Sequence, residues 1–193
     1  MRRGVGVALL CRAGTLRRMG ARVPVLLVLA TALVAVGRVV ALWDRLPKNM
    51  ASHFDGSGRP DGFTTPVTFF WTFAGIGGGV LLLLLATPHL VRRLPTSLIN
   101  LPNREYWLAP ARRDEAVARL GRLMAWFTLA LALFLYGILE LVLHANLTRS
   151  GLPSGPFIAL LAGIYGATAW LLVAVYRGFR VPRDAQGSAP SQK

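Results

Sequence analysis

Four long stretches almost free of charge constrain this chain more than any other feature. Residues 23–43 contain only Arg38, residues 67–91 contain no Asp, Glu, Lys or Arg, residues 123–148 contain only Glu140, and residues 150–176 contain none. Each is longer than the roughly 18–20 apolar residues that cross about 30 Å of hydrocarbon at 1.5 Å per residue. Soluble domains carry about 25% charged residues, whereas here the share is 16%, with 54% hydrophobic. The pattern predicts an all-α integral membrane protein with four transmembrane helices, over about 23–43, 67–91, 111–148 and 156–176. Residues 1–176 form a single membrane domain in this reading, and 177–193 form a disordered cytoplasmic tail.

The net charge of +14 is distributed unevenly: alternate segments hold 17 and 4 of the 22 Lys and Arg residues, with Arg38 left inside a helix. Under the positive-inside rule both termini and the second loop are cytoplasmic, and an ordered loop between helices one and two is extracytoplasmic. Basic residues beside a membrane also attract anionic lipid. The bilayer is therefore the partner that the charge implies, and no nucleic acid is needed to explain it. The apolar run continues past Arg38 to Trp43 with no small-x-small cleavage site after its core, so an uncleaved helix is preferred to a signal peptide. Cys11 is the one cysteine and reads as a free cytoplasmic thiol, which leaves no intrachain disulfide and no cysteine metal site.

Proline marks the helix ends. Pro24 falls at the first turn of helix one, Pro66 ahead of helix two, Pro88 near its end, Pro110 at the start of a cytoplasmic extension of helix three, and Pro156 before helix four. Gly75 and Gly79 in helix two, and Ala159, Gly163 and Ala167 in helix four, predict close packing within the bundle rather than a dimer face. Trp43, Trp71 and Trp126 suit an aromatic belt.

The first loop is rich in turn residues, Asp55-Gly56 and Arg59-Pro60-Asp61-Gly62. An extended segment from Met50 to Phe54 followed by a tight turn is expected. A calcium loop starting at Asp55 is rejected, since its fifth position is Arg59 and its twelfth is Pro66. Two readings of His53 remain: a zinc ligand together with Asp55, or a hydrogen-bonding partner of the turn together with Asp61. The second loop, with Asn100, Pro102, Asn103, Tyr106, Trp107 and Pro110, suits a headgroup-level segment packed on the cytoplasmic face of the bundle. No Walker lysine loop, HExxH or GxSxG is present, and neither a cofactor nor a resident metal is expected.

The stretch from Leu46 to Phe63 resembles the signature of the domain of unknown function 1648, through Leu46, Pro47, His53, Phe54, Asp55, Gly58, Pro60, Asp61, Gly62 and Phe63. The segment from Asn100 to Pro110 is similar to a second block found in many members. The chain departs from the signature after Phe63, where Thr64, Thr65 and Pro66 replace a usual small-small-Lys. The resemblance implies a multi-pass protein of the bacterial cytoplasmic membrane, related to SdpI-like proteins that confer immunity to a secreted peptide toxin and help to sense it. It points to His53, Asp55, Gly58, Pro60, Asp61 and Gly62 as contacts for a ligand or signal.

Three function classes follow. The leading one is a non-enzymatic protein that recognises an extracytoplasmic peptide or envelope component and passes the signal to a membrane or cytoplasmic partner protein. The second is a small transporter, or a subunit of one, that uses intramembrane charges. The third, a membrane-embedded enzyme, requires His53, Glu140 and His144 to converge, and no nucleophile and base pair is identifiable by spacing. Arg38 and Glu140 lie at matched depth with opposite sign. Either alone in lipid costs about 2.5–3.5 kcal/mol, which predicts an ion pair, and His144 one turn beyond Glu140 is expected to join it. The topology has a direct test: alkaline phosphatase fused at Gly58 is active and a fusion at Arg104 is inactive, and the opposite pattern overturns the orientation.

Overall fold

The computed structural model describes residues 4–182, with side chains from residue 22 onward, so the Cys11 side chain and the tail beyond Pro182 lie outside what is described. The elements are α1 (Gly4–Leu42), β1 (Met50–Phe54), β2 (Pro60–Thr64), α2 (Pro66–Arg93), the single turn α3 (Arg104–Trp107), α4 (Arg113–Thr148) and α5 (Ser154–Gly178). Four helical spans are long and apolar enough to cross a membrane: Arg22–Arg45, Pro66–Arg93, Arg113–Thr148 and Ser154–Gly178.

The helices are organised around α4. α1, α2 and α5 each pack on it and scarcely on one another. Most buried helical residues belong to α4, many of them small, among them Ala116, Ala125, Thr128, Ala132 and Ala145. α5 has no fully buried residue. Without a hydrophobic drive between helices in lipid, close approach and van der Waals contact hold them together, and α4 supplies the small side chains that permit it.

The small-residue faces expected to pack are instead open. A Cβ added at Gly75, Gly79 or Gly163 meets nothing within 4 Å. The close approaches use other glycines: a Cβ at Gly77 comes within 3.3 Å of Leu135, one at Gly121 within 3.0 Å of the Pro88 ring, and one at Gly137 within 2.6 Å of Leu160. Two of these three notches are on α4, and each receives a bulky group from a neighbour. The small stripes on α2 and α5 therefore face away from the helix that determines the packing.

Helix ends differ from expectation for local reasons. α1 extends upstream to Gly4, so Pro24 lies inside it rather than at its first turn. α4 starts at Arg113, because the amides of Arg112 and Arg113 both turn back to the Ala109 carbonyl. α2 begins with Pro66 in its first turn and the Thr65 side chain accepting from the Thr68 amide, so the departure from the family signature forms a helix cap. Arg177 and Gly178, expected in the tail, complete α5, and Phe179 beyond them is wholly buried.

The loop between α1 and α2 is an antiparallel β-hairpin rather than a single extended segment, with Met50 opposite Thr64, Ala51 opposite Phe63, His53 opposite Gly62 and Phe54 opposite Pro60. The Arg59-Pro60-Asp61-Gly62 segment, read as a second turn, provides most of β2. Its register slips on both sides of His53. A Cβ at Gly62 would lie 2.8 Å from the His53 Cβ, so glycine lets the strands approach at this irregular step. Gly58 adopts φ 81° in the turn, and a Cβ there would stand 2.6 Å from the Leu152 carbonyl oxygen. Gly58→Ala accordingly destabilises the folded chain by about 1–3 kcal/mol, and amide exchange over residues 50–64 speeds up while the helices stay protected. Unchanged exchange in the hairpin overturns this account of the turn.

Candidate functional site

The hairpin lies across the ends of the helices and is fastened to α4 by one side chain. The Asn146 amide, buried on α4, accepts from the Ala51 amide at 2.7 Å and donates to the Ala51 carbonyl at 3.0 Å and the Val142 carbonyl at 2.8 Å. Met50 and Ala51 are buried at this junction. Asn146 thereby does for β1 what a third strand would do. A second tie joins the hairpin turn to the α4–α5 linker, where the Leu152 amide donates to the Gly58 carbonyl at 2.7 Å.

Several residues expected to contact a ligand are committed to this architecture. One Asp55 carboxylate oxygen accepts from the Ser57 amide at 2.8 Å, the Ser57 hydroxyl at 2.7 Å and the Arg59 amide at 2.9 Å. The Ser57 hydroxyl, followed by the Arg59 amide, holds this carboxyl below the ordinary aspartate pKa. Gly58 and Gly62 serve backbone geometry, and Pro60 opens β2. Leu46 packs beside Leu42, Leu139 and Leu143 under the hairpin.

His53 and Asp61 are not tied to the helices in this way: their Nδ1 and Oδ1 stand 2.5 Å apart with side chains 74% and 46% exposed. His53 thus faces Asp61 across the hairpin. Phe63 is exposed beside them. In an antiparallel pair, residues that do not bond each other direct their N–H and C=O groups outward on opposite edges. Ala51 gives both groups to Asn146, so Phe63 opposite it directs its own to the outer edge of β2. Among the described residues no third strand pairs with that edge.

Below the hairpin, Arg38 Nε donates to both Glu140 oxygens, at 2.9 and 3.2 Å, and the Tyr136 hydroxyl donates to Oε1 at 2.9 Å. His144 does not join this group. A helical side chain leans toward its N-terminus, so Glu140 reaches back one turn to Tyr136 rather than forward. His144 is exposed on its own side of α4, and His53, Glu140 and His144 do not converge.

At the opposite end, the loop from Asn100 to Pro110 folds over the end of α5. The Asn103 Nδ2 and the Trp107 Nε1 both donate to the Phe179 carbonyl at 2.8 Å, and Arg119 donates to the Gly178 carbonyl. Trp107, Ile99, Leu101 and Leu108 are buried with Val91, Val117 and Phe179. Asn103 takes a left-handed backbone (φ 52°), which asparagine tolerates better than most residues. Arg112 covers the Tyr106 ring at 4.0 Å. Arg113 caps α2 through the carbonyls of Val91 and Leu94 at 2.9 and 2.6 Å.

Sequence reasoning missed Asn146, Tyr136 and Phe179. A polar amide inside an apolar span was the available signal for Asn146. Tyr136, one turn before Glu140, was legible as an i, i+4 partner. Phe179 carries no local signal, since its partners are more than 70 positions away.

Residues 26–78 match the model of the family described as domain of unknown function (DUF1648). The match covers most of the membrane portion of α1, the hairpin and the first half of α2. No curated protein and no solved structure matches the chain. Asn146 lies outside the matched segment and holds it in place. Asn146→Ala leaves the Ala51 amide and carbonyl unpaired at a buried position and lowers stability by about 2–4 kcal/mol. Asn146→Asp, which loses the donor, fares no better. Thermal unfolding in detergent together with exchange at Ala51 reads both, and wild-type protection in the alanine variant overturns the role given to Asn146.

Proposed function

We propose that this DUF1648-domain protein is a non-enzymatic, multi-pass protein of the bacterial cytoplasmic membrane that recognises an extracytoplasmic peptide or envelope signal, in the manner of SdpI-like immunity and signalling proteins. Both termini are cytoplasmic in this proposal, as the charge asymmetry supports, and the hairpin faces outward.

The observation that carries the proposal is the asymmetry of the hairpin. Asn146 occupies the outer edge of β1, while among the described residues no other strand pairs with the outer edge of β2. An extended peptide adds to such an edge through main-chain hydrogen bonds, and neighbouring side chains select it. The exposed His53–Asp61 pair and Phe63 are the side chains in reach. The direct bond of Arg38 Nε to Glu140 across α1 and α4 favours this reading over a transporter that uses those charges as a path.

A strain lacking the gene and complemented with variants at equal membrane abundance provides the test. His53→Ala and Asp61→Asn abolish the phenotype that the gene confers. Phe63→Pro, which removes one edge N–H where an edge strand tolerates proline, also abolishes it, whereas Phe63→Ala keeps the main-chain donor and retains part of it. A phenotype that falls only in proportion to protein abundance makes the hairpin a structural cap and defeats the recognition reading.

A further inference from the structure

At the end of the molecule opposite the hairpin, the chain that leaves α2 folds around an open pocket of about 630 Å³, a size typical of small-ligand sites. Its polar lining comes from three neighbouring elements. Thr96 and Ser97 belong to the turn after α2, Arg104 and Glu105 to α3, and Arg113 to the start of α4. The buried Leu108 is also part of the wall.

Two guanidinium groups therefore line one pocket, and among the described residues neither forms a salt bridge. Arg113 gives one terminal nitrogen to the carbonyls of Val91, Arg92 and Leu94, at 2.9, 3.3 and 2.6 Å, while its Nε is buried with no partner. A buried donor that the chain leaves unmatched marks a place for an acceptor from outside it. Arg104 is exposed, and its side chain has no hydrogen bond or ion pair among the described residues. Thr96 and Ser97 are exposed as well. Guanidinium forks beside hydroxyls suit a tetrahedral oxyanion. Two arginines against one glutamate leave the lining one net positive charge, which a phosphodiester, with its single negative charge, balances.

We propose that this pocket binds a singly charged phosphodiester, the headgroup chemistry of an acidic phospholipid such as phosphatidylglycerol. The phosphate accepts from the two guanidinium groups and the neighbouring hydroxyls, and the glycerol hydroxyls donate to Glu105. A choline headgroup brings a cation beside two arginines, and a phosphomonoester sets surplus negative charge against Glu105. Leu94 and Leu98, on either side of Thr96 and Ser97, are 38% and 69% exposed where α2 leaves its apolar span. Acyl chains cover such surface and water does not, which favours lipid over a water-soluble diester as the source. The site is remote from the hairpin and does not depend on peptide recognition there.

Native mass spectrometry of the full chain, released from detergent with phospholipids of identical acyl chains, tests the proposal. The wild type retains one phosphatidylglycerol roughly tenfold more than phosphatidylcholine, the factor that one charge-assisted hydrogen bond supplies. Arg104→Gln loses that preference, and Arg104→Lys, which keeps the charge without the fork, keeps part of it. Ser97→Trp fills the pocket from an exposed lining position and loses the lipid, a second reading should the first variant disturb the loop. Glu105→Gln raises the retention of phosphatidic acid relative to phosphatidylglycerol. Arg93→Gln, in the last turn of α2 and outside the pocket, retains lipid as the wild type does. Equal retention of phosphatidylglycerol and phosphatidylcholine, wild-type retention by both Arg104→Gln and Ser97→Trp, or an unchanged ratio in Glu105→Gln overturns the proposal. Equal losses in Arg93→Gln and Arg104→Gln also overturn it, because a diffuse basic surface then accounts for the binding. Free glycerophosphoglycerol separates the two sources of the diester: failure to displace the lipid assigns the pocket to the bilayer, and displacement at equal concentration assigns it to a soluble phosphodiester.

Discussion

Every membrane helix in this protein depends on α4 for its neighbours. Lipid tails are as apolar as the side chains they touch, so burial by itself draws no two helices together. α1, α2 and α5 each have essentially one surface to rest on. The residues that make that surface are accordingly small at the points of closest approach, as at Gly121 and Gly137, where a proline ring and a leucine enter. The same helix supplies the partners of both non-helical segments. Asn146 bonds the hairpin and Arg113 caps α2, with Arg119 closing the end of α5. An irregular backbone segment beside a bilayer survives only where its polar groups are satisfied, and here α4 contributes to that satisfaction at both ends.

The features legible in the sequence are those that require only near neighbours or a count. The four apolar spans follow from their length, and β1 from a short extended run ahead of Asp55-Gly56. Arg38 and Glu140 stand out as the two charges within the spans, and opposite sign at equal depth suffices to bring them together. The features that were not legible depend on a direction around a helix axis. A small-residue stripe states where close approach is possible and not which side meets another helix. Gly75, Gly79 and Gly163 accordingly stand open, while two of the three working notches lie on α4 and the third is Gly77 of α2. Asn146 meets Ala51 across 95 positions, a pairing that exists only after α1 and α4 have packed. The extent of β2 was hidden by its composition, because Pro60, Asp61 and Gly62 resemble a turn in isolation and pair as a strand only against β1.

The signature that identifies the domain is mostly a set of instructions for a backbone shape. Asp55 holds the turn, Gly58 permits its positive φ, Gly62 makes room for His53, and Leu46 seats the entry to the hairpin. Such residues resist substitution whether or not anything binds. The matched segment ends at residue 78, yet its first strand is completed from α4. The smallest unit that satisfies its own hydrogen bonds is therefore larger than the segment by which the family is recognised.

α4 runs for 36 residues with no proline within it, about 54 Å in an α-helix and well beyond the hydrocarbon thickness of about 30 Å. Proline interrupts the backbone ladder of both α1 and α2. A helix without such a joint turns as a rod. Asn146 near one end grips the hairpin, and Arg113 and Arg119 near the other grip the ends of α2 and α5. A twist of the hairpin about the α4 axis is consequently a torque on both of those helix ends, with no intervening joint to absorb it.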